Sequence, residues 1–412
     1  MFALAAQVIE ARLNADTSDH AGPWQPCPCG AEARYAGRRP KTFSSTLGPL
    51  TLSRAYYHCE ACQGGFCPRD RALGLDASGM TPAVLRMVGH VGACVSFDEG
   101  QRLLAELAGV QMPTKQVERA AEALGAEIAE DERRDVDGPD PSEPVASTLY
   151  LGMDGSGVPM RSTELEGRAG KQPDGSSKTR ELKLVTTWTA ETCDADGVPV
   201  RDAGSVAYSA AIESAASKDT DALRSDFALR AEREAQRRGF DRAARRVVLG
   251  DGAPWIWKIA DESFPDATQI VDRFHVKQHL SEVGKAIFGA GSESAQTWAQ
   301  ARNDELDAGK LDEIIAALTV HADTCDEARK CVGYIDDNRQ RMRYPEFRAQ
   351  GLCTSSGVVE AGCKNVAGVR LKRAGMHWTV RGANAIAALR CCRLSGRFES
   401  FRERRAERRQ AA

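Results

Sequence analysis

No window of this chain comes near the roughly 18 consecutive apolar residues that a membrane-crossing helix requires, so a helical membrane protein is excluded and no membrane partner is expected. A secretory leader is not expected either. The opening MFALAAQVIEARLNAD is interrupted by Glu10 and Arg12, and it lacks a basic start and a small-residue cleavage site. The expected location is cytoplasmic. An even complement of cysteines is also lacking: 13 in a long chain without a leader argue against a disulfide framework and for metal ligation wherever they cluster. Nor does one sign of charge dominate, since 55 Lys and Arg stand against 58 Asp and Glu. The balance conceals a polarity. Residues 361–412 hold 13 Lys and Arg against 3 Glu, so a basic C-terminal segment closes an otherwise acidic chain.

What is present begins with size. At 412 residues, 42% hydrophobic and 27% charged, the chain can bury a large core and form more than one domain. Its one cysteine cluster lies in CPCGAEARYAGRRPKTFSSTLGPLTLSRAYYHCEACQGGFCP, where Cys27 and Cys29 form one pair and Cys59 and Cys62 another. KTFSSTL and LTLSRAYYH alternate about a Gly-Pro turn as a β-hairpin would. Two thiolate pairs brought together by a hairpin make the tetrahedral sulfur cage that Zn²⁺ prefers. The CxC pair is tighter than usual, which leaves Cys67 or His58 as a substitute for one ligand. Arg38, Arg39 and Lys41 could touch phosphate or form an ordinary solvated turn.

Residues 81–134 read as helical. Ser96 and Glu99 form a capping box for FDEGQRLLAELAG, and Thr114 caps TKQVERAAEALGAEIAEDERR. Helix, Gly109 turn and helix outline a helix-turn-helix, although the acids of the second helix would repel phosphate and fit a plain helical hairpin better. DVDGPDPSEP is the clearest linker. Beyond it, STLYLGMD is expected as a strand ending in Asp154, GVPMR as a second and RELKLVTTWTAE as a third. A mixed helical region follows, then the buried-type strand ARRVVLGD ending in Asp251, the helix APWIWKIADESF and a fifth strand TQIVDRFHV. That order is the order of an RNase H-like α/β sheet, in which the first and fourth strands are neighbours and their aspartates would face one pocket. A pair of carboxylates there calls for a hard cation, Mg²⁺ or Mn²⁺ rather than zinc. A third acid, Glu360, lies on a helix that also carries Lys364, Arg370, Lys372 and Arg373, next to phosphate-binding side chains; the plainer reading is an exposed Glu paired with Lys364. Ser355 or Ser356 would cap that helix.

Taken in order, MDGSG, GDGAPWI, VDRFH and SSGVVEAGCKNVAGVRLKRAGMHW resemble the DDE transposases of bacterial insertion sequences, most closely the ISKra group, related to the Mutator-like transposases. The resemblance extends to the cysteine-rich beginning and so to nearly the whole chain. It implies that Asp154, Asp251 and Glu360 are a catalytic triad holding two Mg²⁺ or Mn²⁺ ions, and that Asp272 and His275 match an Asp-x-x-His motif. His275 would orient the scissile phosphate or protonate a leaving group, or else serve structure alone. Asp154 and Asp251 are 97 residues apart, and Asp251 and Glu360 are 109. The longer gap implies a helical insertion.

The expected fold is an α/β RNase H-like core with an all-helical insertion, preceded by a zinc-ribbon-like hairpin and a helical domain. Its divisions are 1–80 (N-terminal helix and zinc-ribbon-like module), 81–134 (helical), 135–146 (linker), 147–276 (first part of the core), 277–350 (helical insertion), 351–395 (final core helices) and 396–412 (basic tail). The expected partners are DNA, as terminal inverted repeats and target, and further copies of the chain on that DNA. Lys364, Arg370, Lys372 and Arg373 are the expected DNA contacts, with the Arg-rich tail as a weaker one. Trp298 either stacks on a flipped base or is a buried helical Trp. Two other functions compete: a catalytically inert DNA-binding protein derived from a transposase, and a metal-free carboxylate-pair hydrolase.

Overall fold

The computed structural model describes residues 2–75, 78–134, 138–170, 172, 175–195, 197–216, 223–355 and 357–411. The chain divides into two compact units, one of residues 1–131 with 384–412 and the other of residues 132–383.

The first unit opens with helix α1 (Phe2–Ala15) and a four-stranded antiparallel sheet of β1 (Trp24–Pro26), β2 (Glu32–Ser45), β3 (Gly48–His58) and β4 (Gly65–Phe66) in that order. The long hairpin β2–β3 turns at Gly48, whose φ of 115° is open only to glycine. Asn14 of α1 bonds to the backbone of Thr51 and Ser53, and Asp19 accepts from the Ala55 amide while pairing with Arg38 and Arg69. Helices α2 (Pro68–Ala72), α3 (Pro82–Cys94), α4 (Phe97–Ala108) and α5 (Thr114–Arg134) follow. The Ser96 hydroxyl accepts from the Glu99 amide and Gly109 closes α4 in the left-handed region, so both termini of that helix fall where the sequence sets them.

The second unit contains a mixed five-stranded sheet. Its strands are β5 (Thr148–Pro159), β6 (Thr179–Thr189), β9 (Ala207–Ala211), β10 (Arg245–Gly250) and β11 (Thr268–Val271), ordered β11-β10-β5-β6-β9; β7 (Thr192–Cys193) and β8 (Pro199–Val200) pair separately. β5, β6 and β9 are antiparallel, while β10 is parallel to both β5 and β11. Thus the first and fourth strands of this sheet are neighbours.

Two expectations are corrected here. STLYLGMD and GVPMR are not separate strands, because β5 runs unbroken through Asp154 to Pro159 and pairs along that whole length with β6. Gly155 and Gly157 do not turn the chain. They make room for the side chains of Glu181 and Thr179 on β6, which a Cβ would meet at 2.4 and 3.0 Å. The third strand is instead β9, AYSAA, inside the region read as mixed helical.

Between β9 and β10 lies α6 (Asp226–Arg237), and α7 (Pro254–Ser263) crosses from β10 to β11. Then come α8 (Arg273–Phe288), α9 (Glu293–Asp307), α10 (Leu311–Thr319), α11 (Asp326–Asn338) and α12 (Tyr344–Ala349). Helix α13 (Gly357–Cys363) runs through a π-helical stretch, Lys364–Gly368, into α14 (Val369–Leu371). Of the expected caps of α13, Ser356 is outside the described residues, as are residues 135–137 of the linker. The described part of the linker has no helix or strand and is held by Arg242, which donates to the carbonyls of Pro139, Asp140, Pro141 and Glu143.

The core of this unit combines Leu149, Leu151, Trp188, Val247, Leu249 and Ile270 of the sheet with Phe227, Ile256, Val276 and Ile335 of the helices. Two glycines let α13 lie close on the sheet. A Cβ on Gly152 would come 2.1 Å from Val359, and one on Gly362 would come 2.8 Å from Leu184 and Tyr208.

Helix α15 (Val380–Leu394) carries the chain back into the first unit, where α16 (Phe398–Ala411) ends it. Phe398 and Phe401 are buried there. The Arg-rich tail is thus a packed helix: Arg404 and Arg408 pair with the buried Asp131, and Arg405 and Arg409 with Glu127. Two of the acids of α5 that count against a DNA-reading helix, Glu127 and Asp131, are neutralised from within the unit.

Candidate active site and metal centre

The metal centre is built by two tight turns. Cys27 and Cys29 lie in the turn between β1 and β2, where the Cys27 amide donates to the Ala31 carbonyl and Gly30 takes a φ of 89°. Cys59 follows β3, and its amide donates to Gly64 across a turn in which Gln63 is the one described non-glycine residue with positive φ. The hairpin brings the turns together. Sγ of Cys27 is 3.7 Å from that of Cys62, Sγ of Cys29 is 3.7 Å from that of Cys59, and all four lie within 4.8 Å of one another. Tetrahedral zinc with Zn–S bonds of about 2.3 Å has sulfur–sulfur edges of about 3.8 Å. The four cysteines could therefore hold a structural metal such as zinc. The Cys62 amide donates to Cys59 and, with the neighbouring sulfurs, draws its pKa down to about 7, toward the thiolate that ligates. Cys67 and His58 are outside the group, so the tight CxC pair stands without a substitute.

Nearby basic residues have internal duties. Arg38 bonds to Asp19 and to the Ser53 carbonyl, and Arg39 stacks 3.5 Å over Tyr56.

In the second unit, Leu249 of β10 is in register with Gly152 of β5; β10 ends at Gly250, and Asp251, the next residue, is near enough to Asp154 for the two charges to interact. Burial raises the pKa of Asp154, and repulsion from Asp251 adds to the shift; hydrogen bonds from the Cys363 thiol and the Gly155 amide, and the proximity of His275, oppose it. The Gly155 amide lies 2.6 Å from Oδ1 of Asp154, and the Ala253 amide 2.9 Å from Oδ1 of Asp251. Tyr334 of α11 donates to the Asp251 carbonyl at 2.7 Å and fills the space that a Cβ on Gly252, at φ 97°, would enter. Asp272 caps α8, accepting from the Phe274 amide at 2.7 Å. His275 and His279 are on successive turns of that helix, with ring centroids 5.9 Å apart, and the His279 ring centroid lies 4.8 Å from that of Tyr334, the two rings tilted at 55°. Burial, then His275, lowers the pKa of His279 and favours a neutral imidazole.

Glu360 is exposed and pairs with Lys364 at 2.7 Å, the arrangement that the plainer reading gave it. Among the described residues, the only group of three or more His, Cys, Asp or Glu donors within 4.8 Å is the cysteine cluster, so the three acids are not drawn together as tightly as metal ligands. Of the basic set, Lys364, Lys372 and Arg373 are exposed, and Lys372 bonds to Ser156, two residues along β5 from Asp154. Arg370, expected to face DNA, is instead fully buried, with its guanidinium 5.2 Å from the Trp378 ring and beside Met376. Trp298 packs against the core beneath Arg302, 5.4 Å away, and near Phe288. Cys363, His279 and Tyr334 escaped the sequence reading. Only their spacing from Glu360 and His275 could have flagged the first two, and nothing marked Tyr334.

Residues 236–410 match an uncharacterised protein family, UPF0236; the match takes in Asp251, His275 and Glu360 but neither Asp154 nor the four cysteines. No curated protein matches the chain.

Proposed function

We propose that this protein is a DDE-type transposase of a bacterial insertion sequence, which binds transposon ends and catalyses metal-dependent DNA strand cleavage and strand transfer. The reading is carried by one observation: the charge on the buried Asp154 of β5 is opposed first by burial and then by Asp251, the residue that follows the neighbouring parallel strand β10. A divalent cation relieves that opposition, and oxygen donors suit Mg²⁺ or Mn²⁺. The strand order β11-β10-β5-β6-β9, with its three antiparallel and two parallel members, supports an RNase H-like core.

Glu360 is one helical turn from Cys363, which bonds to Asp154. Residues three apart share a helix face with Cβ atoms about 5–6 Å apart, and an exposed i,i+4 ion pair is worth only about 0.3–0.5 kcal/mol. Releasing Glu360 from Lys364 is therefore within reach of a bound cation. Asp154, Asp251 and Glu360 would hold the ions. Two such ions, when bound, activate a water or a 3′-hydroxyl and stabilise the leaving oxygen. Cys363 and the Gly155 amide orient Asp154, His275 lies beside it to meet a phosphate oxygen, and Lys372 and Arg373 offer charge to the DNA backbone.

The test is cleavage of labelled DNA bearing the repeats that flank the coding region, with Mg²⁺ present. Asp154→Ala and Asp251→Ala should each lower the rate by at least about a thousandfold; product from the Asp251 variant at the wild-type rate would sink the proposal. The Glu360–Lys364 pair favours the second reading, an inert DNA-binding descendant. That reading expects end-specific binding without product in either Mg²⁺ or Mn²⁺.

A further inference from the structure

The face of β5 that carries Gly152, Asp154 and Ser156 is the one that meets α13 and Lys372. The opposite face opens into a second cleft, of about 630 Å³, which the proposed chemistry does not use. Its walls come from the Arg168 loop, the start of β6, the segment after β9 and the first turns of α7.

Four cations line it: Arg168, Arg180, Lys183 and Lys258. Lys183 is buried at the back, where it is satisfied by Glu181 at 2.8 Å and the Glu213 carbonyl at 3.2 Å, and its ammonium lies 5.7 Å from the Trp255 ring. Glu213 itself is held by Arg230. The two arginines at the mouth differ from it. Arg180 has a single carboxylate, Glu164, at 3.9 Å, and Arg168 approaches closely enough to repel it. The acids of the lining, Glu181 and Glu213, are taken up by Lys183 and Arg230, and Lys258 pairs with Glu262 at 3.8 Å, so Arg168 and Arg180 are the cations left to face the mouth, beside the hydroxyls of Ser177 and Thr179. Trp255 supplies the one aromatic wall.

We propose that this cleft holds a phosphodiester of a nucleic-acid strand, gripped by Arg168 and Arg180 with Lys258 alongside. Its position across the sheet from Asp154 makes it a second anchor, distinct from the Lys364, Lys372 and Arg373 surface. The inference goes beyond the transposase reading, because it concerns binding alone and can hold for an inert DNA-binding chain.

The test is accordingly made without divalent metal, in EDTA, on the full chain. Anisotropy of a fluorescein-labelled single-stranded oligonucleotide is followed over a range of salt concentrations for the wild type, Arg168→Glu and the Arg168→Glu/Arg180→Gln double variant. The double variant should bind about tenfold more weakly or worse, and its salt slope should fall by about 1.4, the value for two lost contacts to a single strand. Because Arg168 is exposed, Arg168→Glu alone should fold normally by circular dichroism and still lose part of the affinity and slope. Unchanged affinity and slope in that folded single variant would overturn the proposal. So would displacement of the oligonucleotide by micromolar dAMP or inorganic phosphate, since the cleft would then be a site for a small free anion. Failure of DNA cleavage in Mg²⁺ bears on the catalytic reading and leaves this result standing.

Discussion

Under the proposed function, Asp154 pulls stability and activity in opposite directions. Its folded pKa is raised, burial being the larger cause and Asp251 a lesser one, so ionising it opposes folding at every pH above the ordinary carboxylate value. That opposition grows as the pH rises from the ordinary carboxylate value through the raised folded one, and disappears as the pH drops below about 4, where the group is protonated in both the folded and the unfolded chain. Asp154→Asn should therefore unfold at a higher temperature than wild type near neutral pH, with the gain shrinking towards pH 4, and calorimetry across that range checks it. Adding Mg²⁺ or Mn²⁺ should raise the midpoint of the wild type and leave that of the variant where it was. A variant less stable than wild type at neutral pH would mean that the carboxylate is well solvated after all.

At the scale of elements, the sequence was most legible where local chemistry decides the outcome. The cap at Ser96 and the stop at Gly109 depend on residues within a few positions of one another, and the cysteine pairs, 30 and 35 residues apart, are joined by one hairpin whose alternation and turn are local. It was least legible where a distant strand decides. Asp-Gly-Ser-Gly reads as a turn, yet its glycines serve Glu181 and Thr179 on the partner strand, and no local pattern reveals that. β9 is short and alanine-rich, buried throughout, and takes its identity from pairing with β6. Arg370 resembled its basic neighbours by type, and only the fold hides it against Trp378. The cysteine hairpin carries its own prediction. Cys59→Ser combined with Cys62→Ser should reduce bound zinc, measured by elemental analysis of the purified protein, from about one equivalent to almost none, whereas Cys67→Ser should retain it. Equal loss from Cys67→Ser would put that residue among the ligands.

Taken whole, the polarised charge of the chain finds part of its answer inside the first unit. Asp131 is buried, and its partners Arg404 and Arg408 arrive from α16 at the far end of the sequence. Replacing both arginines with alanine leaves a buried charge unpaired, which should destabilise this unit by about 3–5 kcal/mol in urea unfolding. If instead the tail were chiefly a DNA-binding arm, the same variant would keep its stability and lose affinity for DNA. The family match runs into this helix and takes in Arg404 and Arg408 but not Asp131. The arrangement also governs the order of assembly on the ribosome. Residues 132–383 can emerge and close on themselves while the first 131 wait for a segment that has yet to be translated. The cysteine hairpin and its helices are thus begun first and finished last, and a message cut short before codon 384 yields a chain whose first 131 residues lack the closing segment of their unit.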